Sequence, residues 1–215
     1  MRNTKSYDRW IEIGYHQLAS ASPEGIHVEE LSRLLDLNKS GFYYYFGTRE
    51  TYFEHLANYH IRQAELLMDQ LKHHLILASS FRPFFDEFKL FLLVHRQMLL
   101  SQRLPCFAAA FEKVNLVADP ILAEIWISQS ALSLSSDVVA KFIALVRDAY
   151  LSNSTEQSLT WASLDEAIVN AEDLIRQLQS EPHRESAFAG SSDGSNWNQP
   201  QNLPTTAKRF VQAHS

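Results

Sequence analysis

Only one cysteine, Cys106, occurs in the 215 residues, so no disulfide can form within the chain, and a lone thiol suits a reducing compartment. Long apolar runs are missing. Stretches such as Leu90 to Val94 fall far short of the roughly 20 residues that cross a bilayer, and the polar Met1 to Tyr7 opens onto no signal-peptide core. The cytoplasm is the expected compartment, with no membrane partner. There is no strand-like alternation, internal repeat, glycine-rich phosphate loop, or serine or cysteine in a nucleophile motif. The chain is therefore not expected to be an enzyme or to need a cofactor. A basic surplus is lacking too. Residues 1–50 carry 6 basic and 7 acidic side chains, 51–180 carry 10 and 15, and 181–215 carry 3 and 3, which together give the net charge of −6. Any nucleic-acid-binding surface would have to work through a few placed cations, with strongly salt-dependent binding.

What is present is apolar spacing of three and four through to about Gln179, which predicts an all-α chain. Breaks are expected at Ser22–Gly25, Asp36–Asn38, Gly47–Thr48, Ser79–Pro83, Pro105, Asp119–Pro120 and Ser152–Ser154. From Glu181 the composition shifts to Ser, Gly, Asn, Gln and Pro, so 181–215 reads as a flexible tail.

The stretch from His27 to Phe46 has the pattern of a helix-turn-helix. Val28, Leu31, Leu34 and Leu35 fall on one face of a short helix, and the small Ser32 lets a second helix cross closely. Asp36 to Asn38 makes the turn, with Leu37 plugging the corner. Asn38 is a good N-cap for a helix opening at Lys39, and Phe42 and Phe46, four apart, return to the same core. Lys39, Ser40, Gly41, Tyr43 and Tyr44 are left facing outward. Lys39 and Ser40 can bond base edges or phosphate, and Gly41 permits close approach. Tyr43 and Tyr44 can donate to phosphate oxygens, as can Arg49 just after the capping Thr48. Three tyrosines in a row also suit a bundle surface, with Tyr45 packed and the others wetted.

The run from Leu37 to Glu50 resembles the signature of the TetR family of bacterial regulators. Leu37, Lys39, the Phe42-Tyr43 pair, Phe46 and Thr48-Arg49-Glu50 match it in order and spacing, and Leu18, Gly25, Val28 and Leu31 resemble it upstream. The resemblance covers roughly the first 55 residues. It departs at Asp36, where the family usually has Gly at a turn position that often takes positive φ; Asp adopts that conformation at some cost. It also departs at His27, in place of a Ser or Thr cap, and at Gly41, where the family commonly carries a side chain that touches bases. Without one, DNA shape is expected to carry more of the specificity. The resemblance implies a three-helix DNA-binding head at 1–50 and a helical regulatory and dimerisation body at 51–180. It further implies a dimeric repressor released from a palindromic operator by a small-molecule effector that shifts the fourth helix. A constitutive DNA-binding or architectural factor, whose body takes a protein partner, is the alternative.

Within the body two stripes suit a homodimer. One runs through Leu122, Ile125, Gln129, Leu132, Ser136, Val139, Ile143, Val146 and Tyr150, on a helix within 119–151. The other runs through Leu164, Ile168, Ala171, Ile175 and Leu178, within 155–180. Both also fit their own subunit's core, and a break near Ser135–Asp137 would split the first. Phe84, Phe88, Phe91, His95, Phe107 and Phe111 at helical spacing, with Trp126, are candidates to line a pocket for an apolar or aromatic effector, with His95 and Trp126 as polar handles. The same stripe fits plain core. Glu65, Asp69 and His73, four apart, read as a solvated face, not a metal site, and Cys106 reads as a structural thiol.

Overall fold

The three-and-four spacing folds as expected. In a computed structural model, which describes residues 4–73, 85–129 and 134–180, all regular structure is helical. Among these described residues eight α-helices follow in order: α1 (Thr4–Ser20), α2 (Val28–Leu35), α3 (Lys39–Phe46), α4 (Arg49–His73), α5 (Phe85–Leu100), α6 (Pro105–Gln129), α7 (Ser136–Asn153) and α8 (Trp161–Ser180). A short 3-10 turn at Pro23–Gly25 joins α1 to α2. Residues 1–178 make one unit and 179–215 a second, of which only residues 179 and 180 are described. The expected break at Ser79–Pro83, the candidate Phe84 and the expected tail at 181–215 lie outside the described residues.

The first three helices make a head with a helix-turn-helix in α2 and α3. Trp10, Leu18, Leu31, Phe42 and Tyr52 fill its interior, and none is more than 1% exposed. Leu34 departs from expectation. It stands 47% exposed because α2 turns only Val28, Leu31 and Leu35 inward. The core runs on without a break from the head, through Phe53, Leu56 and Ala57 of α4, to Phe91, Val94 and Met98 of α5 and Phe107 and Val114 of α6. Helix α1 packs on α5 as well as on α2, and α4 lies along α6.

Two expectations about the body are corrected. Asp119–Pro120 does not end a helix, since Pro120 lies inside α6. Proline has no N–H for the carbonyl four residues back, but that residue, Leu116, is 76% exposed, so water can supply the missing donor. The stripe within 119–151 is not one helix, because α6 ends at Gln129 and α7 opens at Ser136 behind Ser135 as N-cap. Ile125, Val139 and Ile143 from that stripe, and Ala171 and Ile175 from the second, are buried in their own subunit. The hydrophobic residues left outward on these helices are Val138 and Leu145 on α7, and on α8 Ile168, which belongs to the second stripe, with Val169 and Leu174, which do not. No helix among the described residues is long and apolar enough to cross a membrane.

Candidate nucleic-acid interface

The turn that aims α3 is built at Asp36. Its backbone is left-handed, at φ 51° and ψ 45°. The Leu37 N–H bonds back to the Ser32 carbonyl at 3.0 Å, the Ser32 hydroxyl donates to the Leu37 carbonyl, and Arg9 of α1 donates to the Leu35 carbonyl at 2.7 Å. The Ser32 and Leu35 carbonyls at the end of α2 are thus satisfied without glycine. Asn38 then caps α3, its Oδ1 accepting from the Ser40 N–H at 3.0 Å. Gly47, at φ 70°, and Thr48, whose Oγ1 accepts from the Thr51 N–H at 3.1 Å, turn the chain into α4.

Between these caps α3 divides into two faces. Phe42 and Phe46 are buried, their rings edge-on to Trp10 and Tyr52 at 4.8 to 5.5 Å. Lys39, Ser40, Tyr43 and Tyr44 lie outside, the two tyrosines 53% and 65% exposed. Tyr45 is half-buried against Tyr7. Gly41, expected outward, is half-buried instead, and a Cβ built there would meet the Trp10 Nε1 at 3.8 Å.

The two cations of the site are held differently. Lys39 pairs with Glu29 of α2 at 2.8 Å, both side chains well exposed, and this hydrogen bond holds the Glu29 carboxyl below its ordinary pKa. Arg49 is turned into the protein. It donates to the Pro23 carbonyl, its guanidinium lies 5.0 Å over the Phe53 ring, and its Nε is buried without a partner among the described residues.

Sequence reasoning missed the groove beside α3. It measures about 440 Å³ and is lined by His27, Val28 and Glu29 at the start of α2, Thr48 and Arg49 at the start of α4, and Tyr43 of α3. His27 places no side-chain hydrogen bond across the α2 N-terminus. Two helix N-termini flanked by hydroxyls make a surface suited to an anionic backbone. The local signal was there in His27 and Thr48, the cap positions on either side of the helix-turn-helix, but their convergence depends on the tertiary fold.

The aromatic residues proposed for a pocket stack on one another. Phe88 to Phe91, Phe91 to His95, and His95 to Phe111 are separated by 6.3, 5.8 and 4.6 Å with nearly parallel rings, and Phe107 packs on Phe53. Trp126 is not brought to them; its indole N–H donates to Glu172 of α8 at 3.0 Å. His95 belongs to a buried chain that sequence reasoning missed. Tyr15 of α1 meets His60 Nδ1 at 2.8 Å, His60 Nε2 meets His95 Nδ1 at 3.1 Å, and His95 Nε2 meets Asn115 Oδ1 of α6 at 3.0 Å. A histidine on the apolar stripe Leu56, Ala57, His60, Ala64 was the available signal. Burial raises the Cys106 thiol, in keeping with a structural role. No group of three metal-ligating side chains converges among the described residues.

The site and fold together define an all-α protein with a three-helix head, a helix-turn-helix and a helical body. No protein-family model and no curated protein matches the chain. Among solved structures it is similar to a TetR family transcriptional regulator, PfmR from Thermus thermophilus, at 15% sequence identity and a TM-score of 0.45, over 72% of this chain and 90% of that one.

Proposed function

We infer that the chain is a DNA-binding transcriptional regulator, with a recognition helix at α3. The observation that carries this is the two-faced α3, whose aromatic inner face is buried while Lys39, Ser40 and two tyrosines are held in solvent beside a groove formed by two helix N-termini. In this reading residues 1–50 are the head and 51–180 the regulatory and dimerisation body. Ser40 reads base edges, Lys39 bonds base edges or phosphate, and Tyr43, Tyr44 and Thr48 hold phosphates. Gly41 reads no base. Arg49 serves first to fasten the Pro23 turn to α4, and so sets the groove that receives the phosphate. The exposed Val138 and Leu145 of α7 and Val169 and Leu174 of α8 support a homodimer through those two helices. Such a dimer offers two α3 helices to a near-palindromic operator, at half-sites about 34 to 36 Å apart. Repression by occlusion of a promoter follows, with an effector acting through α4.

The filled aromatic column favours an alternative for the body, in which a protein partner replaces an interior ligand. Thermal shift with small molecules separates the two, since only a sensor gains stability from them.

Selection of bound DNA from a random pool at two salt concentrations tests the inference. A two-fold symmetric motif is expected, with Ser40→Ala changing its bases and Tyr43→Phe weakening all sequences alike. Recovery of no motif at either salt concentration overturns it.

A further inference from the structure

A cleft of about 250 Å³ lies between α1, α4 and α5, apart from the interface proposed above. Helix α1 gives it Glu12, Tyr15 and His16, α4 gives Tyr59 and Leu67, and α5 gives Phe91. Tyr15, Tyr59 and Phe91 give aromatic walls among leucines, the Tyr15 and Tyr59 rings edge to face at 5.0 Å and the Arg62 guanidinium 5.8 Å from the Tyr59 ring centroid. The rim is acidic. Glu12 is exposed and makes no ion pair or hydrogen bond among the described residues. Burial, then the Glu12 carboxylate, raises the Tyr59 hydroxyl above its ordinary pKa, with Asp8 adding to this and Arg62 opposing it. Aromatic faces beneath an unpaired carboxylate suit a cation carried on a flat ring. The volume admits one small bicyclic molecule.

We propose that this cleft binds a small aromatic amine, its ring against Tyr59 and Phe91 and its ammonium group on Glu12. The cleft is wired to the head. The Tyr15 hydroxyl meets His60, and the His60 ring stacks on Phe91 at 4.4 Å. Less than two turns along α1 from Glu12 and Tyr15, Trp10 packs edge-on against Phe42 of α3. A ligand that shifts α1 against α4 therefore shifts the seat of the recognition helix, and binding is linked to DNA affinity by the ligand's differential affinity for the two states. This link rests on the regulator reading; the binding itself does not.

Titration calorimetry of the full chain with tryptamine, its neutral analogue tryptophol and its acidic analogue indole-3-acetate tests the site. Tryptamine is expected to saturate and to bind about fivefold more tightly than tryptophol, as a partly exposed ion pair allows. Glu12→Gln is expected to erase that difference with an unchanged melting curve, and Glu12→Lys to turn the preference toward indole-3-acetate. Failure of all three compounds to saturate overturns the site, as does full-strength tryptamine binding by Glu12→Gln. Saturation that leaves the affinity for selected DNA unaltered overturns the regulatory link alone. Absence of DNA binding by the free protein overturns the regulator reading and leaves the cleft standing.

Discussion

The Tyr52 hydroxyl of α4 lies where a side chain on Gly14 of α1 would begin: a Cβ built on Gly14 meets that oxygen at 1.7 Å. The gap lets Tyr52 donate to the Trp10 carbonyl at 2.7 Å, and burial pushes its pKa far up, so the group stays a donor. A mid-helix glycine costs about 1 kcal/mol against alanine. Here that cost is offset by the close approach of α1 and α4.

Gly14→Ala is therefore expected to destabilise the protein by about 2 kcal/mol or more, as overpacking of a rigid core does. Tyr52→Phe alone should cost about 1 kcal/mol through the lost hydrogen bond. Combined with Gly14→Ala, it should recover part of the loss, because it removes the clashing oxygen. Urea unfolding of the four proteins measures this, and strictly additive effects would show that the two residues do not compete for the space.

At Gly41 the opposite outcome is expected. The nearest atom to a Cβ there is the Trp10 Nε1 at an ordinary 3.8 Å, and that indole N–H is buried without an acceptor among the described residues. Gly41→Ala should stabilise by up to about 1 kcal/mol through helix propensity. Gly41→Ser has the poorer propensity of the two but brings an oxygen within reach of the indole. It should match or exceed Ala, since satisfying a buried donor is worth about 1 kcal/mol. A serine variant clearly less stable than the alanine variant would show that the bond does not form.

Much of the head was legible because its rules are local. Asn38 and Thr48 cap as their chemistry dictates, Asp36 takes the left-handed turn that few residues other than glycine tolerate, and Phe42 and Phe46 share a face because they are four apart. Where side chains had alternatives, local rules failed. Arg49 found a carbonyl and an aromatic ring inside the protein, and Pro120 was carried within α6, where Leu116, whose carbonyl loses its donor, is an exposed residue. The Tyr15, His60, His95 and Asn115 chain joins residues 45, 35 and 20 positions apart, on four helices, and no window of sequence contains it.

Lys39 carries a prediction of its own. Its partner Glu29 lies on the exposed rim of the groove, and surface ion pairs contribute little to stability. The lysine is thus held in place at small cost and can be handed over to DNA. Glu29→Gln is expected to leave the unfolding midpoint unchanged and to raise DNA affinity severalfold, most at low salt, by removing a negative charge from the phosphate path. Lys39→Ala should weaken binding and lower the slope of log affinity against log salt by about 1. Gel-shift titrations across a salt series measure both, and a slope unchanged in Lys39→Ala would remove that residue from the phosphate contacts.

The buried chain makes stability depend on pH in a defined direction. With Asn115 Oδ1 as acceptor, His95 donates from Nε2 and accepts at Nδ1, His60 donates to it from Nε2, and the Tyr15 hydroxyl donates to His60 Nδ1. Every position is filled with both imidazoles neutral, and a proton on His95 Nδ1 would face the His60 N–H. Burial, and after it the charge of Arg147, pushes His95 down to about 3 despite the Asn115 hydrogen bond. Burial and the neighbouring His95 push His60 well below its ordinary value. Unfolded, both regain a pKa of about 6.5, so below that the unfolded state binds more protons than the folded one. Their contribution is complete above about pH 7 and is lost as the pH falls, at about 1.4 kcal/mol per unit for each histidine once it is fully protonated in the unfolded chain. Urea unfolding between about pH 7 and pH 5 should therefore show stability dropping toward the acid side. His95→Gln should be less stable at about pH 7, because it disturbs a satisfied buried network, yet lose less per pH unit by about one proton. An equal slope in wild type and His95→Gln would mean that His95 takes up its proton in the folded state.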